Sequence, residues 1–253
     1  MEANAELCRD KGDIGDKGDI RNMKVAVVMC TFRRLDVLPR TLEMLKAQTD
    51  THFDLYIWNN NENVRDLRPV FEGKDYPFRI ESHASSHNVG GIGRFLQCRE
   101  MVDAYPYVVF IDDDQSFDRY LIETFKREAE PGVISGWWAF KIWRSYNQRT
   151  RCRPGEEADY VGTGCMICPL DVFRNEALIR DIPQKYTFIE DLWLSYFAKY
   201  ECGYALRMSA VKVGFIPNED ARNQHQKLAR NKIEFHKYLE AKYKPKTDQK
   251  NKR

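Results

Sequence analysis

Apolar positions along this chain switch between unbroken short runs and a helical spacing. Residues 24–31 (KVAVVMCT) are an apolar, β-branched run, as expected of a strand buried on both faces. Val37, Leu38, Leu42 and Leu45 follow at helical spacing, with Asp36 placed to cap the helix. Residues 53–58 predict a second strand and 78–82 a short third. Residues 87–93 (HNVGGIG) form a glycine-rich turn that opens a helix reaching about Val102. Residues 107–111 (YVVFI) are the next strand, and 119–128 a helix. Residues 132–143 read as strand and are rich in aromatics. Residues 144–159 form a polar, arginine-rich loop, too long for a mere connection. Small and apolar residues alternate over 160–168. Helices are expected over 191–200 and 224–241, with a strand-like run at 211–216 before the second. Alternating strands and helices predict an α/β fold, a mainly parallel sheet with helices on both faces. Such sheets bind ligands at the carboxyl ends of their strands, near a switch in strand order.

Composition narrows the function. A chain of 253 residues can bury one large core. Its net charge of +2, from many charges of both signs, lacks the basic excess of a dedicated nucleic-acid binder. No apolar stretch approaches the roughly 20 residues of a membrane span, and the polar first 19 residues do not read as a secretory signal. The seven cysteines are odd in number and scattered, which predicts reduced thiols in a cytoplasmic-type compartment. Cys165 and Cys168 have CxxC spacing but no second pair to complete a zinc site. Glycine recurs at Gly12, Gly15 and Gly18, the collagen period, in triplets too few to hold a triple helix. Residues 1–22 are therefore expected to be a disordered tail, 23–241 the globular domain, and lysine-rich 242–253 a second disordered tail.

The chemistry concentrates at Asp112, Asp113 and Asp114, where the 107–111 strand ends. Carboxylates clustered at the end of a buried strand cost solvation energy unless a cation offsets them. Hard divalent cations prefer such oxygens, and a cation that holds a phosphorylated substrate takes only one or two of them from the protein. The triple therefore points to a metal-bound diphosphate, although an exposed acidic turn would look similar.

Four segments resemble family 2 glycosyltransferases of the GT-A (nucleotide-diphospho-sugar transferase, Rossmann-like) fold. They are residues 25–34 (VAVVMCTFRR), 88–94 (NVGGIGR), 110–114 (FIDDD), and 162–164 (GTG) followed by Glu190-Asp191. The resemblance implies a UDP-sugar donor and Mn²⁺ or Mg²⁺. It makes Asp114 the direct metal ligand, and Asp112 a ligand of the metal or of the ribose. Asp113 belongs to the nucleotide-sugar side but, in an extended chain, would point away from its neighbours. Thr31, Phe32 and Arg33 would line the uridine pocket, with Gly90 at the turn and Arg94 facing ribose or phosphate. Asn59 stands where the family commonly has an aspartate for uracil. Its amide can pair with the base, or residues 59–61 are turn formers. Asp191 would be the general base toward the acceptor, with Glu190 orienting it or contacting the sugar. Gly162, Thr163, Gly164 and Trp138 would line the acceptor side. His225 would complete the metal shell, or is a surface histidine of the last helix.

The collagen-like prefix beside such a domain is similar to the arrangement in collagen-modifying proteins of giant DNA viruses. That implies a collagen glucosyltransferase acting on galactosyl-hydroxylysine, working in the host cytoplasm. Transfer to hydroxylysine itself or to a surface glycan, and a non-enzymatic collagen-associated module, are the alternatives. A homodimer fits the long 144–159 segment as well as an acceptor-binding role does.

Overall fold

The computed structural model describes residues 22–216 and 221–250, without the side chains of 221–227 and 245–250. The collagen-like triplets lie outside the described residues. Three parallel strands follow the pattern read from the chain: β1 (Val25–Thr31), β2 (Phe53–Asn59) and β3 (Ile80–Ala84). Helix α1 (Leu38–Lys46) connects the first two and buries Leu38, Thr41, Leu42 and Leu45, one helical stripe. Asp36 does not cap it. The N-cap is Val37, whose N–H donates to the Arg34 carbonyl at 3.1 Å. Helix α2 (Gly93–Met101) leads to β4 (Tyr107–Asp112). Next come the short β5 (Gln115–Phe117) and helix α3 (Leu121–Glu128).

The aromatic stretch expected as one strand is two, β6 (Val133–Gly136) and β7 (Ala139–Ile142), because the chain changes sheets between them. The 144–159 segment is not one loop either. It contains β8 (Arg149–Arg151), which pairs with β7. β9 (Tyr160–Val161) completes this three-stranded sheet, and β10 (Met166–Pro169) returns to the main one. Helix α4 (Glu190–Phe197) precedes β11 (Ala205–Met208), a strand with no advance signal in the pattern, and β12 (Val213–Phe215). Helix α5 (Ala221–Lys250) continues past residue 241, where the second tail was expected to begin. Phe235, Leu239 and Tyr243 recur every fourth position and are buried.

The main sheet has the order β11-β6-β10-β4-β1-β2-β3. All pairings are parallel except those of β10, which runs opposite to both β4 and β6. The chain moves outward from β1 to β3 and returns on the other side of β1 as β4. The switch in strand order thus falls between β1 and β4, and Asp112 lies level with Cys30 at their carboxyl ends. Cys30, Cys98, Cys152, Cys165 and Cys168 are free. Cys202 is disulfide-bonded, so the expectation of uniformly reduced thiols fails there: spacing along the chain does not reveal pairing in space.

Candidate active site

The strand supplies the carboxylates and a turn aims them. β4 ends at Asp112, and residues 113–114 form a turn, so the strand alternation that would send Asp113 away does not operate. Asp113 and Asp114 instead share one cation. Arg34 Nη1 lies 3.2 Å from Asp114 Oδ2 and 3.8 Å from Asp113 Oδ1. Burial raises the Asp113 carboxyl to about 6; Arg34 opposes the rise and the other two aspartates add to it. Asp114 is raised by burial and by Asp112.

Arg94 is placed differently from the expectation. Only 5% exposed, it does not open toward a ribose or phosphate. Its Nη2 donates to Asp112 Oδ1 at 2.9 Å, its Nη1 donates to the Thr163 carbonyl at 3.3 Å, and its Nε lies 3.7 Å from Glu190 Oε1. A buried guanidinium needs such partners, and these tie the 112–114 turn to the Glu190-Asp191 pair. Thr163 also faces inward, with its hydroxyl 3.3 Å from Glu190 Oε1. Two glycines make the crowding possible. A Cβ on Gly91 would fall 1.8 Å from Glu190 Oε1, and one on Gly164 2.4 Å from Asp112 Oδ2.

Asn59 is a loop anchor. It is fully buried; its NH₂ donates to the carbonyls of Val64 (2.7 Å) and Arg65 (3.3 Å), and its Oδ1 accepts from Asn61 N (2.9 Å). With those groups engaged, uracil recognition by this amide has no support. Thr31 is buried at the end of β1 and its carbonyl accepts from Asn60 N at 2.8 Å. Phe32 is half-buried beneath the exposed Arg33, whose guanidinium lies 5.0 Å from the ring centre. Gly90 is braced by Asn60 Nδ2, which donates to its carbonyl at 3.1 Å. His225 falls on α5 where side chains are not described.

The acidic pair opens α4, where carboxylates suit the exposed N–H groups of the helix start. Its two members have different surroundings. Glu190 is buried, and burial pushes it up to about 7 against the pull of Arg94. Asp191 is held at both oxygens: Leu192 N donates to Oδ1 at 2.7 Å and Tyr160 Oη donates to Oδ2. Lys232 of α5 brings its Nζ to 4.0 Å from the same Oδ2. Burial works against the charge of Lys232, yet the neighbouring Asp191 keeps its pKa above the ordinary value. The Asp191 side chain remains 15% exposed.

Aromatic rings continue from Asp191 along the small sheet. Tyr160 stacks with Phe140 (6.2 Å between ring centres), Phe140 meets Trp138 edge-on (5.0 Å), and Trp138 lies 5.1 Å from Trp137. The Gly162 N–H donates to the Trp138 carbonyl at 2.8 Å, so the 162–164 turn sits on this ring row. Phe215 of β12, 58% exposed, touches both tryptophans, and Ile216 N donates to the Asp114 carbonyl at 2.7 Å. Arg34, Tyr160 and Lys232 were not singled out as site residues from the sequence. Arg34 merely follows Arg33 in the first resembling segment, and Tyr160 and Lys232 carry no local signal.

Among the described residues, no three His, Cys, Asp or Glu side chains form a metal site by themselves. The donor chemistry at the turn still fits a hard divalent cation that takes one or two carboxylate oxygens from the protein and the rest from a diphosphate and water. The carboxylates of Asp112 and Asp114 are close enough for one to raise the other.

Residues 26–179, more than half of the chain, match the family described as Glycosyl transferase family 2. No curated protein matches at a significant level. Among solved structures the chain is similar to TarS of S. aureus. The 1–349 segment of TarS shares 18% identity at a TM-score of 0.48, covering 74% of this chain and 57% of that one. A longer TarS structure shares 16% at 0.45 and is covered over 35% of its length, against 74% of this chain. TarS 1–349 in complex with UDP shares 17% at 0.46, with 74% and 57% covered. This chain thus spans from about a third to just over half of those structures.

Proposed function

The chain belongs to glycosyl transferase family 2, and from that premise we propose that it transfers a hexose, glucose favoured, from a UDP-sugar to a collagen acceptor, galactosyl-hydroxylysine. One observation carries the transferase reading. At the switch point of a mostly parallel GT-A sheet, a triple-aspartate turn and an acidic pair are joined through one buried arginine, Arg94. The collagen acceptor rests on the prefix with Gly12, Gly15 and Gly18.

Asp114 and Asp112 would hold Mn²⁺ or Mg²⁺. When bound, the cation acts as a Lewis acid on the charge that the departing diphosphate acquires. Arg33 and Phe32 offer a cation and a half-buried ring beside the end of β1 for the nucleotide. Asp191 accepts the proton of the acceptor hydroxyl as its oxygen bonds to the anomeric carbon and the bond to the diphosphate breaks. Tyr160 and Leu192 N–H fix that carboxylate in place, and a base so positioned contributes roughly 10²- to 10⁴-fold. Glu190, tied to Arg94 and Thr163, positions the start of α4. Trp138 and the turn at Gly162 and Gly164 lie on the acceptor side, where an aromatic face suits a sugar ring.

A panel of UDP-sugars incubated with Mn²⁺ and collagen peptides, bare or carrying galactosyl-hydroxylysine, tests the proposal by mass spectrometry of the products. A mass gain of one hexose on the galactosylated peptide alone is expected. Transfer to other acceptors only would remove the collagen assignment. The linkage formed tests the base: an α-configured donor and a simple Asp191 base give a β product, whereas an α product requires another route.

A further inference from the structure

Arg34 is a site cation that the proposed function leaves without a task. It stands just beyond β1, and its guanidinium lies against Asp114 and Asp113 at 3.2 and 3.8 Å. Its side chain is 14% exposed, and those of Asp113 and Asp114 are 19% and 27% exposed, so the group is sheltered yet open on one side. The third aspartate has a separate cation, Arg94, buried and tied to Thr163 and Glu190. The two arginines therefore differ. The Arg94 guanidinium is buried, with hydrogen bonds to Asp112 and the Thr163 carbonyl and an ion pair to Glu190, while the described ion pairs of the Arg34 side chain run to the two carboxylates.

A guanidinium is weakly hydrated and matches phosphate oxygens as well as it matches carboxylates. A divalent cation approaching Asp114 alone must compete with Arg34 and leave it without an anion. A diphosphate arriving with the cation removes that conflict, because it offers Arg34 new oxygens while the cation takes the carboxylate.

We infer that Arg34 is an exchangeable counter-cation that keeps the 112–114 turn closed to a lone divalent ion and moves to the diphosphate of the donor when ion and nucleotide bind together. The inference rests on the donor reading above. It makes the binding of ion and nucleotide cooperative, and the coupling is reciprocal by linkage.

The test measures binding to the full chain: Mn²⁺ alone by electron paramagnetic resonance of the free ion, and UDP alone and with Mn²⁺ by calorimetry. Wild type should bind Mn²⁺ alone weakly and UDP much more tightly once Mn²⁺ is present. Arg34→Met should bind Mn²⁺ alone at least about fivefold tighter, the lower end of typical coupling. It should bind UDP alone more weakly, and the help given by Mn²⁺ should shrink by a similar factor. Arg34→Lys keeps the charge and should leave Mn²⁺ alone as weak as in wild type. Circular dichroism and a melting curve confirm that each variant folds. Unchanged Mn²⁺ affinity in Arg34→Met, or Arg34→Lys behaving as Arg34→Met, overturns the inference and leaves the donor reading intact. Wild type that binds no UDP even with Mn²⁺ overturns the donor reading, and the inference with it.

Discussion

The turn after β4 and the start of α4 both present carboxylates, but they hold them by different means. At Asp112, Asp113 and Asp114 the partners are two arginines, one committed and one open to exchange. At Asp191 they are a tyrosine hydroxyl, a helix N–H and a lysine from α5, with aromatic rings behind. The first region is built from straight apolar strands that run into charge. The second is built from short antiparallel strands whose rings pack on one another. On the proposed reading, the carboxylates that would meet the ligand are held by ion pairs to arginine side chains. A charge that must keep one position is held by a backbone group and by rings with little freedom.

Exchanging one carboxylate on each side tests this contrast. Asp114→Asn should lower transfer by about 10³-fold or more, since a Lewis-acid cation supplies several kcal/mol and each 1.4 kcal/mol is tenfold. EDTA should reproduce the loss in the wild type, and full turnover in EDTA would end the metal role. Asp191→Asn should lower transfer at least about 10²-fold while calorimetry still shows UDP binding. Loss of UDP affinity together with thermal stability would instead make Asp191 structural.

Glu190 offers a test on stability. Burial pushes its pKa in the folded chain up to about 7, above the ordinary glutamate value of 4.5. Between those values the folded chain holds a proton that the unfolded chain has released, so stability should fall as pH rises through that window. Urea midpoints at pH 5 and pH 8 should show a loss of order 1–3 kcal/mol at this site, and Glu190→Gln should flatten it. An identical slope in the variant would show that other groups set the pH dependence.

The smallest effect belongs to the 144–159 segment. Arg149 lies 4.2 Å from the ring centre of Tyr146 and 4.9 Å from that of Phe140, whereas Arg153 is exposed. Arg149→Ala should cost about 1–2 kcal/mol in a thermal melt, and Arg153→Ala should stay within about 0.5 kcal/mol. If Arg153→Ala alone raises the acceptor KM, the exposed arginine, not the stacked one, meets the substrate.

What the chain disclosed beforehand follows the same division. The run 107–111 ending in aspartates marks β4 and its turn, because burial and charge meet within a few residues. Arg94 and Gly91 stood in a motif that was recognised, but their reasons are distant: Glu190 lies about a hundred positions later in the chain. Asn59 stands where the family commonly has an aspartate, while its amide closes a local loop. The 132–143 stretch read as one strand because apolar content does not reveal where a chain leaves one sheet for another. Tyr160 and Lys232 acquire meaning only once β9 and α5 are packed beside α4.

The reversed strand β10 has a consequence for synthesis. It is the neighbour that covers β4 on the side away from β1. β4 is apolar along nearly its whole length, and its partner arrives roughly 50 residues later in the chain. At about 5–20 residues per second the ribosome delivers that partner only after about 3–10 s. During that interval a sheet of β1 to β4 would carry a bare, sticky edge of the kind that recruits other chains. A chaperone that covers this edge while residues 113–166 are being made should therefore raise the yield of folded chain.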